Sequence, residues 1–466
     1  MNHDSPTRRE FLQHHAAMAG AAAAATVIPG NFPRARAFAA TAKNDRPLVA
    51  CIGVGGRGMT DAKAAARFGD IVAVCDADRT HAEQARETLG GKAEVYQDYR
   101  RVLQRSDIDV VINATPDHWH TAINIEACRA GMDLYTEKPL TLTIEEGRQL
   151  LRVVNETGRI VQVGTQQRSE KPFQTAIELV RNGRLGRLQQ VWVALPYFST
   201  KGGPFPTEPI PDPLDWDLYQ GQAPVHPYCH QRGHRIYRWW YEYAGGIVTD
   251  WGNHHIDIAH WGMDCETTGP RTIEARGIFP NQGKADCFNT PDRFFSRMIY
   301  PGGLELLYFS ALNDRRIYGE VEENEPTSKE QMAWLFGADV PEEIKSFGRN
   351  GTMFIGEKGR ILVNRGGVYG KAAEELVDDP LPEDAWRADP SDDHMGNFFA
   401  CVASRKEPVS PVRIQHRTVS ACHLTNISLR LERSLKWDPQ AEQMVDDQEA
   451  GTWLQRAQRP PYEVKG

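Results

Sequence analysis

The 466-residue chain exceeds the roughly 250 to 300 residues at which a single hydrophobic core stops growing, so at least two domains are expected. Apolar residues make up 40% and charged residues 25%, an ordinary globular composition that argues against wholesale disorder. The formal net charge of -8 lacks the basic excess of a nucleic-acid-binding protein, and the arginine-rich stretch 232–238 is short and mixed with aromatic residues.

The first forty residues have the features of an export signal. Arg8 and Arg9 precede a 13-residue apolar run at 16–28, and a small-x-small sequence follows at 37–39. Because this run is shorter than the roughly 20 residues that span a bilayer, the segment resembles a cleaved twin-arginine signal and not a stable membrane span. The alternative is an alanine-rich tail with a chance arginine pair. We therefore expect a signal peptide at 1–39, recognition by the twin-arginine export machinery, and a periplasmic or otherwise extracytoplasmic location.

A glycine-rich motif follows the first predicted strand. Residues 48–52 form a continuous apolar run, as a parallel strand covered on both faces requires, and the sequence Gly-Val-Gly-Gly-Arg-Gly follows. Gly53 permits a tight turn, Gly55 lets the backbone approach a pyrophosphate, and Gly58 lets the next helix pack on the strand. The residues predicted to bind a dinucleotide at this turn are Gly53, Gly55, Gly56, Arg57 and Gly58.

An acidic residue follows the second predicted strand at the spacing typical of dinucleotide-binding folds. The strand at 71–75 ends before Asp76, which is 18 residues beyond Gly58 and suits a ribose-binding carboxylate. A plain glycine-rich turn with an N-capping aspartate explains neither this spacing nor the strand pair. A carboxylate here repels a 2′-phosphate and favours NAD, although the nearby Arg79 leaves NADP possible.

Strands and helices continue to alternate, which predicts a doubly wound, six-stranded Rossmann domain at 43–168. Ligands of such sheets bind outside the carboxyl ends of the strands, so the loops after the later strands should converge on one crevice. His120 could reach the cofactor there, or simply belong to the start of a helix. Further predicted strands lie near Val95 and at 110–114, 134–136 and 160–164, and predicted helices at 79–89, from Tyr99, at 118–130 and at 144–157. The further predicted cofactor contacts are Thr115, Pro116, His120, Glu137, Lys138 and Gln166.

Four motifs together resemble the Gfo/Idh/MocA family, named for glucose-fructose oxidoreductase, inositol dehydrogenase and rhizopine catabolism. They are the glycine motif at 53–58, Ala-Thr-Pro-Asp-His-Trp-His at 114–120, Glu-Lys-Pro at 137–139, and Gly-Gly-Ile-Val-Thr-Asp-Trp-Gly-Asn-His at 245–254. The resemblance covers most of the chain. It implies an α/β protein with the N-terminal Rossmann domain and a C-terminal α+β domain whose open sheet is mostly antiparallel.

The second domain is expected at 169–440, with a polar tail at 441–466. The resemblance implies that Lys138, Asp250 and His254 act on a carbohydrate substrate, namely a sugar, a polyol or a derivative. The chain is expected to form a homodimer or homotetramer, and the polar tail is expected to be a surface arm or an oligomer contact.

The three candidate catalytic residues suit hydride chemistry on an alcohol. On a helix beginning at 245–246, Asp250, His254, Asp257 and Trp261 recur at spacings of 4, 3 and 4 residues and share one face. Oxidising a secondary alcohol needs a base near neutral pKa, which suits His254. Lys138 can hydrogen-bond the developing alkoxide and disfavour protonation of the imidazole, and Asp250 would orient His254 or bind a neighbouring hydroxyl. Taken singly, each has a structural explanation, namely a solvated lysine, a helix cap and a buried histidine.

Two other clusters have competing explanations. Histidines and acids at 254–260 suggest a metal, but neighbouring residues on a helix point roughly a quarter-turn apart, whereas metal sites on one helix use i, i+4 pairs, so no metal site is predicted. Six of the eleven tryptophans lie between Trp192 and Trp261, and they could stack on sugar rings or form a core or subunit interface. The aromatic candidates are Trp216, Trp239, Trp240, Tyr197, Tyr237 and Tyr241.

Two segments leave the substrate open, because they look like additions to the family pattern. Residues 197–243 are rich in proline and aromatic residues, and residues 313–347 look like an insertion. Helical stretches at 397–405 and 419–433 are expected to pack back against the dinucleotide-binding domain.

Three classes of function follow. The first is an NAD- or NADP-dependent oxidoreductase; because little free NAD is expected outside the cytoplasm, its cofactor would stay bound and be regenerated. The second is an NAD-retaining glycoside hydrolase or lyase that works by transient oxidation, elimination and re-reduction. The third is a non-catalytic sugar-binding protein, against which the intact set of Lys138, Asp250 and His254 argues.

Overall fold

The computed structural model of the protein describes residues 46–310 and 350–466. The predicted signal peptide at 1–39 and the predicted insertion at 313–347 lie outside these described residues. Within the two described ranges, no helix is both long enough and apolar enough to cross a membrane.

The first sheet has six strands that are all parallel, in the order β3-β2-β1-β4-β5-β6. The order reverses between β1 and β4, and at such a reversal the loops beyond the strand ends separate and leave a crevice. The predicted Rossmann domain is therefore confirmed. The strands are β1 (Leu48–Ile52), β2 (Asp70–Cys75), β3 (Glu94–Tyr96), β4 (Val110–Asn113), β5 (Asp133–Thr136) and β6 (Val161–Val163).

Polar residues at the predicted boundaries start the helices that connect these strands. Asp78 accepts a hydrogen bond from the backbone N–H of Thr80, Asp98 accepts one from Arg100, and Thr143 accepts one from Glu146, so three of these helices begin with side-chain caps. The connecting helices are α1 (Gly56–Ala65), α2 (Arg79–Thr88), α3 (Tyr99–Leu103), α4 (Asp117–Arg129) and α5 (Ile144–Thr157).

The second sheet has nine strands in the order β13-β12-β11-β7-β10-β9-β8-β14-β15. Its neighbouring strands are antiparallel except β7 and β10, which are parallel, so the expected open, mostly antiparallel sheet is confirmed. The strands are β7 (Leu188–Leu195), β8 (Thr272–Ile278), β9 (Arg293–Ile299), β10 (Glu305–Ser310), β11 (Gly351–Gly356), β12 (Gly359–Asn364), β13 (Gly367–Tyr369), β14 (Leu435–Asp438) and β15 (Gln443–Met444).

Buried helices join the two sheets. Residues of α8 and α11 share the largest apolar cluster with the second sheet, and α10 packs Phe398 and Phe399 into a cluster of the first sheet. The helix α11 begins seven residues before Val419, where the sequence predicts its start. The predicted helix is too short because almost all residues of this helix are buried, so the one-sided apolar pattern of a surface helix is missing. These helices are α6 (Lys171–Arg181), α7 (Trp216–Gln220), α8 (Ile247–Gly262), α9 (Lys371–Glu374), α10 (His394–Ser404), α11 (Val412–Leu431) and α12 (Gln448–Thr452).

Residues 213–243, which we call the strap, run from the second sheet onto the first domain. The backbone N–H of Arg79 donates to the Pro213 carbonyl, and the Asp215 N–H donates to the Ala77 carbonyl, each at 2.9 Å. The Trp119 indole N–H donates to the Leu218 carbonyl at 3.0 Å. Backbone and side-chain bonds therefore fix the strap beside the carboxyl end of β2.

The C-terminal tail packs against the strap of the same chain. The Tyr462 hydroxyl donates to Asp217 of the strap at 2.8 Å, and the Arg459 guanidinium donates to the Gly221 carbonyl at 3.0 Å. Its first residues extend the second sheet as β15. The tail thus fastens the outer side of the strap.

Candidate active site

A cavity of about 560 Å³ lies at the carboxyl ends of the first sheet, between the glycine motif, α8 and the strap. It brings together predicted residues from every motif. Those that line it are Gly53, Gly55, Gly56, Arg57, Gly58, Asp76, Thr115, Pro116, Glu137, Lys138, Gln166, Asp250 and His254.

The glycine motif forms a tight backbone turn at one end of the cavity. Gly53 has a φ of +76°, which L side chains rarely adopt, and its N–H donates to the Cys75 carbonyl at 2.8 Å. A Cβ on Gly58 would lie 1.7 Å from the Gly53 carbonyl oxygen. Helix α1 begins at Gly56, so its free N–H groups face the cavity where a pyrophosphate would bind.

Asp76 lies beside this turn. Its carboxylate accepts from the backbone N–H of Val54 and of Asp78, each at 3.0 Å, and lies 3.6 Å from the His81 ring. Arg79 points elsewhere, because it pairs with Glu83 at 2.9 Å and is absent from the cavity lining. The acid predicted to bind ribose therefore faces the cavity, and the arginine that left NADP open does not.

Three potential metal ligands lie near the same end of the cavity. Oxygen and ring nitrogen atoms of Asp78, His81 and His234 lie within 4.8 Å of one another, the single such group among the described residues. The histidines at 254–260 do not share one site. His255 stacks on Trp251 with an interplanar angle of 21°, and His260 lies 2.5 Å from the Tyr300 hydroxyl.

Glu137 holds the glycine motif and the loop after β6 together. It accepts from Arg57 Nε at 3.0 Å and from the Gln166 amide at 2.9 Å, while Arg57 also pairs with Asp61 at 2.8 Å. The guanidinium of Arg57 thus has two acidic partners in its own domain, and burial together with the charge of Glu137 raises the pKa of one of them, Asp61, well above its usual value.

His120 is the predicted cofactor contact that does not line the cavity. The side chain is 1% exposed, with Nδ1 2.7 Å from the Pro139 carbonyl oxygen and Nε2 2.8 Å from the Thr115 carbonyl oxygen. It therefore ties two cavity loops together from beneath.

Lys138, Asp250 and Arg238 form a charge network at the other end of the cavity. The Lys138 ammonium donates to the Asp250 carboxylate and, at 3.1 Å, to the Asp250 carbonyl. Arg238 Nε lies 3.5 Å from the second carboxylate oxygen. Burial alone would raise the pKa of Asp250, but the charges of Lys138 and Arg238 outweigh burial and hold it at about 2. Asp250 is therefore ionised at every physiological pH.

His254 lies one helical turn beyond Asp250 and is 6% exposed. Burial lowers the pKa of His254 well below its usual value, and the charges of Lys138 and Arg365 lower it further. The imidazole is thus neutral, and its pKa lies below the near-neutral value that the sequence predicts for the base. Among the described residues nothing hydrogen-bonds its Nδ1, so Asp250 does not orient the ring here, because Lys138 and Arg238 occupy its carboxylate.

The predicted common face of α8 divides between two environments. Asp250 and His254 line the cavity, whereas Asp257 accepts two hydrogen bonds of 2.7 Å from the Arg168 guanidinium in the core. The guanidinium carbon of Arg168 also lies 4.9 Å from the centroid of the Trp261 ring. The second half of the face therefore anchors the helix.

The aromatic residues of the strap belong mostly to the core. Trp240 is 1% exposed, and Tyr241 lies between Arg430 and Arg456, with guanidinium carbons 3.4 and 3.7 Å from the ring centroid. Of the six aromatic candidates only Tyr237 lines the cavity, where its hydroxyl donates to Asp117 at 2.6 Å. Trp119, Tyr219 and Trp251 line it as well.

Sequence reasoning missed three cations of the cavity wall. Arg235 and Arg238 lie on the strap, and Arg365 lies on the turn between β12 and β13. The sequence offered one signal, the arginine-rich stretch 232–238, which was considered only for nucleic acid.

Family models match both halves of the chain. The model described as the oxidoreductase family's NAD-binding Rossmann fold matches residues 48–165. The model described as the oxidoreductase family's C-terminal alpha/beta domain matches residues 194–304 and 367–464. Both are models of Gfo/Idh/MocA, and together they cover well over half of the chain.

Curated relatives are similar over part of their length. The scyllo-inositol 2-dehydrogenase (NAD(+)) of Bacillus subtilis is 25% identical over 286 residues, which are 61% of this chain and 66% of the relative. The inositol 2-dehydrogenase of Salmonella typhimurium is 27% identical over 25% of this chain and 35% of the relative. The alpha-N-acetylgalactosaminidase of Shewanella oneidensis is 29% identical over 30% of this chain and 33% of the relative. The chain thus matches less than two thirds of the length of each.

Solved structures share the fold. The WlbA dehydrogenase from Bordetella pertussis, in complex with NADH and UDP-GlcNAcA, superposes with a TM-score of 0.57 at 17% identity, over 84% of this chain and 98% of that one. The aldose-aldose oxidoreductase from Caulobacter crescentus, complexed with glycerol, gives a TM-score of 0.57 at 16% identity, over 84% and 100%.

Proposed function

The chain belongs to the Gfo/Idh/MocA family of oxidoreductases, and from that premise we propose that it oxidises a secondary alcohol of a sugar, polyol or derivative with an NAD that stays bound. The observation that carries the proposal is one cavity that joins a dinucleotide turn to Lys138, Asp250 and His254. The intact set of these three residues supports an enzyme over a non-catalytic sugar-binding protein.

The residues of the cavity fit a dinucleotide. The backbone at Gly56 is open, since a Cβ there would meet nothing within 4 Å, and together with the N-terminus of α1 it fits a pyrophosphate. The carboxylate of Asp76 fits a ribose. When bound, NAD supplies a nicotinamide ring that accepts hydride from the carbinol carbon.

The side chains at the other end handle the proton and the oxygen. His254 lines the cavity with a neutral ring, so the hydroxyl proton can pass to it as the hydride leaves carbon and the ketone forms. Its lowered pKa makes it a weak base until nearby positive charge is offset. Lys138 donates a hydrogen bond to the oxygen as negative charge develops there. Asp250 fixes the position of Lys138.

The strap supports retention of the cofactor. Its Tyr219, His234 and Tyr237 line the same cavity as the glycine motif, and its backbone is bonded to the loop after β2. A dinucleotide bound at the glycine motif would therefore contact the strap on one side. Retention also suits the proposed twin-arginine export to the periplasm, because that route carries folded proteins and the cofactor can bind before export.

The experiment is to purify the mature protein, desalt it extensively, denature it and measure nicotinamide dinucleotide in the supernatant. We expect close to one equivalent of NAD, and single-turnover reduction of that NAD when a panel of sugars and polyols is added. Far less than one equivalent, with activity wholly dependent on added NAD, would contradict retention. The homodimer or homotetramer stays a prediction, which light scattering of the same sample tests.

A second candidate function is hydrolysis or elimination of a glycoside with the NAD regenerated in each cycle. The similarity to the alpha-N-acetylgalactosaminidase of Shewanella oneidensis favours it. The two candidates separate when chromogenic glycosides are supplied. Release of the aglycone without a net change at the absorbance band of the reduced nicotinamide supports the glycosidase, and stoichiometric NAD reduction without release supports the oxidoreductase.

A further inference from the structure

We propose that the substrate is an anionic sugar, bearing a carboxylate or a sulfate ester, and that Arg365 and Arg235 bind its negative group. The proposal rests on the proposed function, because it names the substrate class of the same site. It starts from the charges that line the substrate end of the cavity.

Positive charge is in excess at this end. Four cations line the cavity around α8, namely Lys138, Arg235, Arg238 and Arg365, and Asp250 is the single carboxylate that lines it there among the described residues. Lys138 and Arg238 both face Asp250. Arg235 and Arg365 therefore have no carboxylate partner among the residues that line the cavity.

Arg365 reaches the cavity from the turn between β12 and β13. Its guanidinium carbon lies 5.3 Å from the centroid of Trp251, so the side chain rests on an aromatic wall of the cavity. No described carboxylate lies within ion-pair distance of it; its charge acts on Glu170 and on His254 only from farther away. Arg365 is exposed, and its guanidinium has no counter-ion among the described residues.

Arg235 reaches the cavity from the strap. The side chain is exposed, and among residues 46–310 and 350–466 no carboxylate pairs with it. Its charge is one of those that lower the pKa of Asp250, which places it toward the substrate end of the cavity. Two unpaired guanidinium groups on separate elements therefore face one space.

Guanidinium groups bind carboxylate and sulfate oxygens through two parallel N–H donors, a geometry that a neutral hydroxyl does not match. A bound anion would also offset positive charge around His254, whose pKa is lowered by burial first and then by Lys138 and Arg365. An anionic substrate thus makes the imidazole a stronger base only while it is bound.

The test uses the NAD-loaded protein and three sugars that differ at one carbon: glucuronate, glucose and glucose 6-sulfate. Binding is measured by calorimetry, and oxidation by single-turnover reduction of the bound NAD. We expect the preferred anionic sugar to bind about 10- to 100-fold more tightly than glucose, the gain of a hydrogen bond to a charged group. That advantage should shrink in high salt.

The variants Arg365→Met and Arg235→Met should each lower the affinity for the anionic sugar by more than they lower the affinity for glucose, and so remove much of this advantage. Arg271→Met, at an exposed arginine outside the cavity, is the matched control and should change nothing. Preference for glucuronate supports a carboxylate, and preference for glucose 6-sulfate supports a sulfate ester. Loss of NAD from Arg235→Met on desalting would show that Arg235 binds the cofactor pyrophosphate and would overturn its assignment.

Equal affinity for the charged and neutral sugars would overturn the inference and leave the proposed oxidoreductase standing if either sugar reduces NAD. Arginine-dependent binding of the anionic sugar without any NAD reduction would support the inference and contradict the proposed function.

Discussion

The two ends of the cavity bind their ligands by different means. At the dinucleotide end the backbone does most of the work, through the turn at Gly53, the close approach at Gly58 and the start of α1. At the substrate end buried charges and a neutral imidazole do it, through Lys138, Asp250 and His254. A backbone site tolerates no added volume, whereas a buried-charge site tolerates no lost charge.

The largest expected effect is on the charged end. Lys138→Met and His254→Ala should each lower the single-turnover reduction of bound NAD by about 10² to 10⁴, because a proton acceptor or a donor to the alkoxide is lost. The NAD content should be nearly unchanged, since neither residue belongs to the dinucleotide turn. Lys284→Met, an exposed lysine outside the cavity, is the control. Unchanged rates in both variants would remove these residues from the catalytic role.

Added volume should harm the backbone end. Gly58→Ala would place a methyl group 1.7 Å from the Gly53 carbonyl oxygen, so the turn must open. Overpacking costs roughly 1 to 3 kcal/mol, so NAD affinity should fall by about 5- to 150-fold. Gly451→Ala is the matched control, because a Cβ there meets nothing within 4 Å. Calorimetry of the apo protein measures the affinity, and a Gly58→Ala protein with normal affinity would refute the steric argument.

Acid should destabilise the protein chiefly through its buried histidines. Burial lowers the pKa of His255 and His423 to about 3, and of His118, His260 and His394 to about 4. Between pH 6.5 and these values the unfolded chain binds protons that the folded chain does not, so stability falls as the pH falls. Each histidine contributes at most about 1.4 kcal/mol per pH unit.

The five histidines are spread over α4, α8, α10 and α11, so the contribution of each must be measured by its own substitution. Urea unfolding between pH 7 and 5 should show a slope that is shallower in His423→Gln by about one proton. A stability that stays flat over this range would mean that these groups do not titrate as their burial requires.

The smallest expected effect returns to the dinucleotide end. Asp76→Ala should weaken NAD binding by a few-fold to about tenfold, the loss of one or two hydrogen bonds, or reduce the preference for NAD over NADP. Calorimetry with both cofactors on the apo protein measures this. A wild-type protein that prefers NADP would show that Asp76 does not set the choice.

The dinucleotide end could be predicted from the sequence because its parts are contiguous. The glycine motif directly follows an apolar run whose predicted bounds, 48–52, are those of β1. The helix predicted at 144–157 is likewise α5, since a capping threonine marks its start and Gly158 its end. Such local signals need no knowledge of the rest of the fold.

The substrate end could be predicted only in part. Lys138 and Asp250 are 112 residues apart, and only the family motifs connected them. No spacing rule relates Arg365 to either of them, because a hairpin of the second sheet brings it to the cavity. The sequence also predicts that Asp250 orients His254 or binds a substrate hydroxyl, but in the structure its carboxylate pairs with Lys138 and Arg238. The sequence does not show which side chains lie next to this carboxylate.

The paired hydrogen bonds between Arg168 and Asp257 act as an alignment pin for α8. A helix that turned by one residue would rotate by about 100°, which would break both bonds and swing Asp250 away from Lys138 in the same movement. The angular setting of the catalytic side chains is therefore locked from a point two turns down the helix, inside the core and out of reach of the substrate. Fixing α8 at its core end thus keeps Asp250 and His254 aligned at its cavity end.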